Sequence, residues 1–116
     1  MGEVVAECRC MTPPFHYLDY DTVSLRIDGT KNRGGEVTVE TCKACGSRWL
    51  RYFVEYEAFS QSGRWYRGLV TEEVLESLKP EQAAELLASL PWHFYGGSYF
   101  CTLGRRGSGP ILVDLF

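Results

Sequence analysis

The sequence predicts an α+β fold, in which an antiparallel β-sheet meander is followed by two short amphipathic helices on one face of the sheet. Apolar and polar residues alternate through much of the first half, as in half-buried strands. The apolar period then changes to that of a helix between residues 71 and 90. A chain of 116 residues with 45% hydrophobic residues suits one packed domain, which we expect to span residues 1–116.

Four successive segments have strand character and are separated by turn-forming residues. They are residues 22–28, 37–41, 49–59 and 64–70. In the first of them, Val23, Leu25 and Ile27 alternate with polar residues, so we expect these three side chains on the buried face. The short spacing of the segments favours antiparallel neighbours joined by hairpins.

Helix signals begin at Thr71, a good N-cap residue that is followed by two glutamates, as the helix dipole favours. Pro80 suits the first position of a second helix, and Pro91 ends it. The apolar residues of this second helix recur at helical spacing, at Ala83, Leu86, Leu87 and Leu90.

The C-terminal segment predicts a further hairpin. Aromatic residues at 92–95 and 98–101 flank Gly96 and Gly97, a pair that suits a tight turn. Residues 104–110 are rich in glycine and predict a loop, after which residues 111–115 predict a last strand.

Two cysteine doublets carry the clearest chemistry of the chain. Cys42 and Cys45 lie between two predicted strands, and Gly46 is suited to a positive φ after the turn. Cys8 and Cys10 form the other doublet, and four thiols fit the ligand set of a tetrahedral zinc ion. The fifth cysteine, Cys101, is then expected to be a buried thiol outside the metal site.

Around Cys42 and Cys45 the chain resembles the knuckle of a zinc ribbon, in which two turns each donate two ligands to one metal ion. The resemblance covers roughly residues 37–57 and implies a structural zinc site completed by Cys8 and Cys10. This first doublet departs from the pattern because it is C-x-C and not C-x-x-C. On an extended strand its two side chains would still point to the same side.

Other interpretations of the cysteines stay open. They are ordinary thiols, or a redox-active C-x-x-C pair at Cys42 and Cys45, or a mixed site in which His16 or His93 replaces one cysteine. The redox interpretation is less favoured, because such motifs usually open a helix and here a strand is predicted after Cys45.

Charge constrains the partner. The net charge is −3, with a segment of +3 between residues 31 and 67. Basic and aromatic residues on the two central hairpins predict a partner-binding face at Arg48, Arg51, Arg64, Trp65 and Arg67. Such a face is able to bind single-stranded nucleic acid, but the acidic total favours a protein partner.

The predicted function is therefore a small non-enzymatic binding module with a structural zinc ion, most consistent with protein–protein interaction. The alternatives are a nucleic-acid-binding zinc ribbon and a C-x-x-C thiol oxidoreductase. The first residues lack the pattern of a secretory signal, and no long apolar segment predicts a membrane span, so we expect a cytoplasmic protein.

Overall fold

The structure is a computed structural model that describes residues 8–30, 33–55 and 60–113. Within these residues, six strands form one antiparallel sheet whose spatial order follows the chain. The strands are β1 Tyr20–Asp28, β2 Gly35–Cys42, β3 Arg48–Val54, β4 Arg64–Val70, β5 His93–Gly97 and β6 Thr102–Gly107. The predicted meander is therefore observed, and the predicted extension of the third strand over residues 56–59 lies outside the described part.

Both helices fall where the sequence predicts them, as α1 Glu72–Ser77 and α2 Ala83–Ser89. The hydroxyl of Thr71 caps α1 by accepting a hydrogen bond from the backbone N–H of Val74 at 3.3 Å. Pro80 opens a 3-10 turn that leads into α2. In the described part of the chain, neither helix is long and apolar enough to cross a membrane.

The sheet has two differently covered faces. On the helix face, Val37, Leu50 and Tyr52 pack with buried residues of α2 such as Leu87. On the opposite face, which we call the cysteine face, Trp49 packs with residues of the N-terminal segment and the cysteine doublets. Alternation along each strand sends neighbouring side chains to opposite faces, so both faces of β3 are buried.

Strand β1 corrects the predicted burial of its alternating apolar residues. Val23 is 62% exposed and Ile27 is 51% exposed, whereas Tyr20 and Asp28 at the two ends are buried. A β-bulge between Ser24 and Arg26 shifts the register, and β1 lies at an edge of the sheet. The alternation correctly indicated a strand, but the bulge and the edge position decided which side chains are covered.

The last hairpin turns later than predicted. Gly96 and Gly97 belong to β5, the turn occupies residues 98–101, and the predicted loop at 104–107 is part of β6. A Cβ at Gly96 would lie 2.6 Å from the Trp65 ring, and one at Gly97 would lie 2.5 Å from the Gly63 carbonyl oxygen. The two glycines therefore permit close approach of β4, and the predicted strand at 111–115 is not formed over residues 111–113.

A buried carboxylate ties the end of β1 to the core. Asp28 is fully buried, and its Oδ2 accepts a hydrogen bond from the Tyr52 hydroxyl at 2.6 Å. The same oxygen forms an ion pair with Arg33 Nη1 at 3.2 Å. The backbone N–H of Thr30 donates to Oδ1 at 2.9 Å. Burial by itself raises the pKa of Asp28, but these hydrogen bonds outweigh it and hold the pKa below its usual value.

This arrangement predicts a defined loss of acid stability. A depressed pKa contributes stability above the unfolded-state value near ~4, and that contribution is lost as the pH falls through the folded-state pKa. Asp28→Asn should lower the free energy of unfolding at neutral pH by about 1–3 kcal/mol. It should also make the free energy of unfolding fall less steeply as the pH drops below about 4. Urea denaturation across this range measures both effects.

Asp21→Asn is the matched control, because Asp21 lies on the same strand and is exposed. Both variants keep the cysteines, so acid effects on the metal site cancel when each is compared with the wild type. An unchanged acid slope in Asp28→Asn would contradict the assignment.

Candidate metal centre

The turn between β2 and β3 presents the second cysteine doublet. Cys42 is the last residue of β2 and Cys45 lies in the turn that follows. The Gly46 N–H donates to the Cys42 carbonyl at 2.8 Å, and the Cys42 N–H donates to the Ser47 carbonyl at 2.9 Å. Gly46 has φ +79°, so the positive φ expected from the sequence is present.

The first doublet reaches the same place from the N-terminal segment. Cys8 precedes a 3-10 turn at Arg9–Met11, and Cys10 lies within it. The predicted extended geometry of this C-x-C pair is therefore wrong beyond Cys8, because the tight turn and not strand alternation brings both thiols to one point. The Lys43 N–H also donates to the Asp19 carbonyl at 2.9 Å, a second link between the two segments.

The four sulfur atoms form a cluster suited to one metal ion. Cys8 Sγ lies 3.6 Å from Cys42 Sγ, and Cys10 Sγ lies 3.6 Å from Cys45 Sγ. All four Sγ atoms lie within 4.8 Å of one another. A tetrahedral ion with bonds of ~2.3 Å to sulfur requires separations of about 3.8 Å between ligands. The donor set and its spacing therefore fit a four-thiolate metal site.

The surroundings of the thiols differ in polarity. Burial raises the pKa of the Cys10 thiol, and the indole N–H of Trp49 offsets this only in part. Burial also acts to raise the pKa of Cys45, but hydrogen bonds from Ser47 outweigh it and lower that pKa to about 7. Cys45 Sγ lies 3.1 Å from Ser47 Oγ. A cation that binds all four sulfurs replaces their protons, so metal binding is coupled to proton release.

Apolar packing encloses the inner side of the cluster. Cys10 and Cys42 are almost fully buried together with Trp49, and Met11 and Phe15 pack against them in one hydrophobic group. The sulfur cluster and the aromatic core of the cysteine face are thus one structural unit, which fixes the N-terminal segment on the sheet.

The remaining sulfur and imidazole candidates lie elsewhere. Cys101 is exposed and outside the cluster, so the expectation that it is a buried thiol is wrong. His16 is exposed, and His93 is buried edge-on against Tyr66. In the described part of the chain neither histidine joins the cluster. No helix starts at Cys42, so the helix-dipole activation typical of redox C-x-x-C motifs is missing there.

The five residues predicted to bind a partner do not share one exposed surface. By strand register, Arg48 and Arg64 point to the helix face, whereas Arg51, Trp65 and Arg67 point to the cysteine face. Arg64 and Arg67 are each only 2% exposed. The sequence alternates these arginines with aromatic residues, and the pleat of the strands separates them. Their role in partner binding stays a prediction.

Each of the two buried arginines has its own partners. Arg64 donates hydrogen bonds to the carbonyl oxygens of Leu112 and Ser62. Arg67 forms an ion pair with Glu40, with 3.1 Å between Nη1 and Oε1. Arg48 forms a longer ion pair, at 3.5 Å, with the exposed Glu72 of α1.

Sequence reasoning missed a cavity of about 780 Å³ on the cysteine face. Arg51 and Arg67 line it together with Thr38 and Glu40 of β2, two residues that are not among the predicted site residues. One signal was present in the sequence, because Thr38 and Glu40 alternate with Val37 and Val39, placing polar residues on a face that the fold buries.

Comparisons with known proteins give no relative for this arrangement. The chain matches no protein-family model, no curated protein and no solved structure. The metal centre is therefore defined by its geometry alone.

We expect protein purified without added metal to contain one bound ion per chain, held by thiolates. Cys10→Ser should abolish retention of the ion, because it removes the most buried of the four ligands. Cys101→Ser is the matched control and should retain it. Elemental analysis measures the ion, and thiol titration of the native protein should show one rapidly reacting thiol, that of Cys101. Full metal retention by Cys10→Ser would contradict the site.

Proposed function

We propose that this chain is a non-enzymatic binding module in which a structural zinc ion, held by Cys8, Cys10, Cys42 and Cys45, fixes a surface that binds another protein. The observation that carries the proposal is the approach of the four sulfur atoms, two pairs of which are 3.6 Å apart. Tetrahedral sulfur ligation suits zinc or an iron–sulfur centre, and we favour zinc because a closed four-cysteine set is common in structural zinc sites.

A non-enzymatic role is supported by the ligand count. Four thiolates complete the tetrahedron around zinc and leave no position at which a substrate or water molecule could be activated. The same requirement for reduced thiols favours a reducing compartment, and we propose the cytoplasm on that ground.

The proposed protein-binding surface lies along β1. Tyr17 and Leu18 immediately precede this edge strand and are 75% and 60% exposed, and Val23 and Ile27 within it are more than half exposed. An edge strand also presents unpaired backbone groups that a partner segment can use. The net charge of −3 favours a neutral or basic protein over nucleic acid.

Nucleic-acid binding through the four arginines has less support. Arg64 and Arg67 are each only 2% exposed, and Arg48 and Arg64 point to the face opposite Arg51 and Arg67, so the four arginines do not form one surface along which a nucleic-acid backbone could lie. A thiol oxidoreductase based on Cys42 and Cys45 is also less favoured, because each sulfur lies 3.6 Å from a cysteine of the other doublet.

A closed zinc site predicts inertness toward added ligands. Protein reconstituted with Co²⁺ should show the visible spectrum of a tetrahedral thiolate complex, and added cyanide or azide should leave that spectrum unchanged, because no position is free. Cys45→Ser opens one position and serves as the comparison. A wild-type spectrum that responds to cyanide would overturn the structural role of the ion.

The protein-binding surface is tested by site-specific photocrosslinking of the full chain in cells of its source. A photoreactive residue in place of Val23 should give an adduct with one defined protein. The same residue in place of Ser89, which is exposed at the end of α2, should not give that adduct. Ile27→Glu should reduce the adduct by introducing a charge on the proposed surface. Adducts with nucleic acid, or equal adducts at both positions, would overturn the proposal.

A further inference from the structure

The cavity on the cysteine face is large enough to hold a small molecule. Its volume of about 780 Å³ lies within the usual range of about 300–1,000 Å³ for small-molecule sites. The cavity is lined by residues of the central sheet, by residues 14–17 of the N-terminal segment, and by residues 97–98 and 101–103 around the β5–β6 turn.

The lining of the cavity carries an excess of one positive charge. Arg51 and Arg67 lie directly opposite each other on β3 and β4 and point to the same face. Glu40 is the one carboxylate among the described residues that line the cavity, and it is paired with Arg67. Among these lining residues, two guanidinium groups and one carboxylate give a net charge of +1, since arginine stays protonated, and Glu36 outside the lining also acts on the charge of Arg51.

Arg67 has a free hydrogen-bonding edge. Among the described residues, nothing forms a hydrogen bond with its buried Nε and Nη2, although its Nη1 lies 3.1 Å from Glu40. Nε and Nη2 lie along the same edge of the planar guanidinium group. Their N–H groups are spaced to bind both oxygens of a carboxylate. Buried charged donors without acceptors are costly, so an acceptor oxygen at this edge, from a ligand or from water, would be stabilising.

Aromatic rings hold this guanidinium in place. The Arg67 Cζ lies 4.1 Å from the centre of the Phe15 ring, 4.4 Å from that of Trp49 and 4.6 Å from that of Tyr20. These cation–π contacts stabilise the charge without using its N–H groups. Burial raises the pKa of Tyr20 to about 12, although the charge of Arg67 and a side-chain interaction with it act in the opposite direction, so the phenol stays neutral and does not cancel the charge of Arg67.

A second unsatisfied group lines the same cavity. Thr38 Oγ1 is buried without a hydrogen-bond partner among the described residues, and Thr38 pairs with Arg51 across β2 and β3. Burial lowers the pKa of Arg51, and the positive charge of Arg67 lowers it further, whereas the carboxylates of Glu40 and Glu36 act in the opposite direction. A bound anion would relieve this repulsion, and the Thr38 hydroxyl is available to donate to it.

The walls favour an apolar, planar ligand body. The rings of Phe15, Tyr20 and Trp65 line the cavity, and the rings of His16 and Tyr17 at its edge stack at 5.5 Å with an interplanar angle of 13°. Flat aromatic surfaces pack best against a flat partner. The single excess charge matches a monoanion, whereas a phosphate dianion would add a second negative charge beside Glu40.

We propose that this cavity binds a small organic monocarboxylate with a planar apolar body, whose carboxylate is held by Arg67, Arg51 and Thr38. This proposal goes beyond the protein-binding function and does not depend on the identity of the metal. The cysteine cluster affects the cavity only by holding residues 14–17, which line it, on the sheet.

The test uses the full-length protein as purified and three probes, 2-naphthoate, its neutral analogue 2-naphthamide and inorganic phosphate. Two-dimensional ¹H–¹⁵N NMR should show saturable shifts with 2-naphthoate at Thr38 and at the Nε–H of Arg67. The neutral amide should bind at least about tenfold more weakly, since it lacks the charge that the guanidinium groups recognise.

Arg51→Gln is the main variant, because Arg51 is only half-buried and its loss should leave the fold intact. It should weaken 2-naphthoate binding by about tenfold, the effect of one charge-assisted hydrogen bond. Arg48→Gln is the matched control on the same strand, since Arg48 points to the other face, and it should change the affinity less than about twofold.

Equal binding of 2-naphthoate and 2-naphthamide would overturn the proposal, as would equal losses in Arg51→Gln and Arg48→Gln. Tighter binding of phosphate than of 2-naphthoate would overturn the carboxylate assignment. Absence of saturable binding at millimolar concentrations to the folded protein would overturn the site itself. Binding of 2-naphthoate by protein that contains no metal would leave the cavity proposal standing and remove the zinc-based function, so the two failures are distinguishable.

Discussion

The convergence of four cysteine sulfurs is the constraint on which the cysteine face depends. The described N-terminal segment, residues 8–19, contains few regular backbone hydrogen bonds, because it consists of two 3-10 turns joined by irregular chain. Such a segment has little local stability of its own. Its attachment rests on the sulfur cluster, on the packing of Phe15 and on one backbone hydrogen bond from Lys43 to Asp19. A metal ion at this point would convert a weakly held segment into one wall of the cavity.

The second organising feature is a sheet with side chains buried on both faces. Hydrophobic residues and α2 cover the helix face, where Asp28 and Arg64 are satisfied by hydrogen bonds. The cysteine face is covered by aromatic rings and carries Arg67, whose ion pair with Glu40 leaves two donors without acceptors. Buried polar groups are normally satisfied, so these two donors mark a place on the cysteine face at which a ligand could supply an acceptor, although His93 Nδ1 on the helix face also lacks a hydrogen-bond partner among the described residues.

Much of the local structure could be predicted from the sequence. Strand β4 and the cap at Thr71 depend on short-range patterns, and the C-x-x-C turn with Gly46 depends on the φ preference of glycine. The errors have tertiary causes. Val23 is exposed because β1 is bulged and at the edge, and the last turn moved because Gly96 and Gly97 were needed for contact with β4. A single sequence contains no direct information about which strand lies at an edge.

The sequence by itself determined the chemistry that is available: four thiols in two doublets, arginines among aromatic residues, and strands followed by helices. Only the tertiary structure decided how these groups meet. It brought Cys8 and Cys10 to Cys42 and Cys45 across more than thirty residues, and it buried Arg64 and Arg67, which are each only 2% exposed. The physical reason is that residue type and local backbone preference are written in the chain, whereas register, edge position and burial arise from packing between segments distant in sequence.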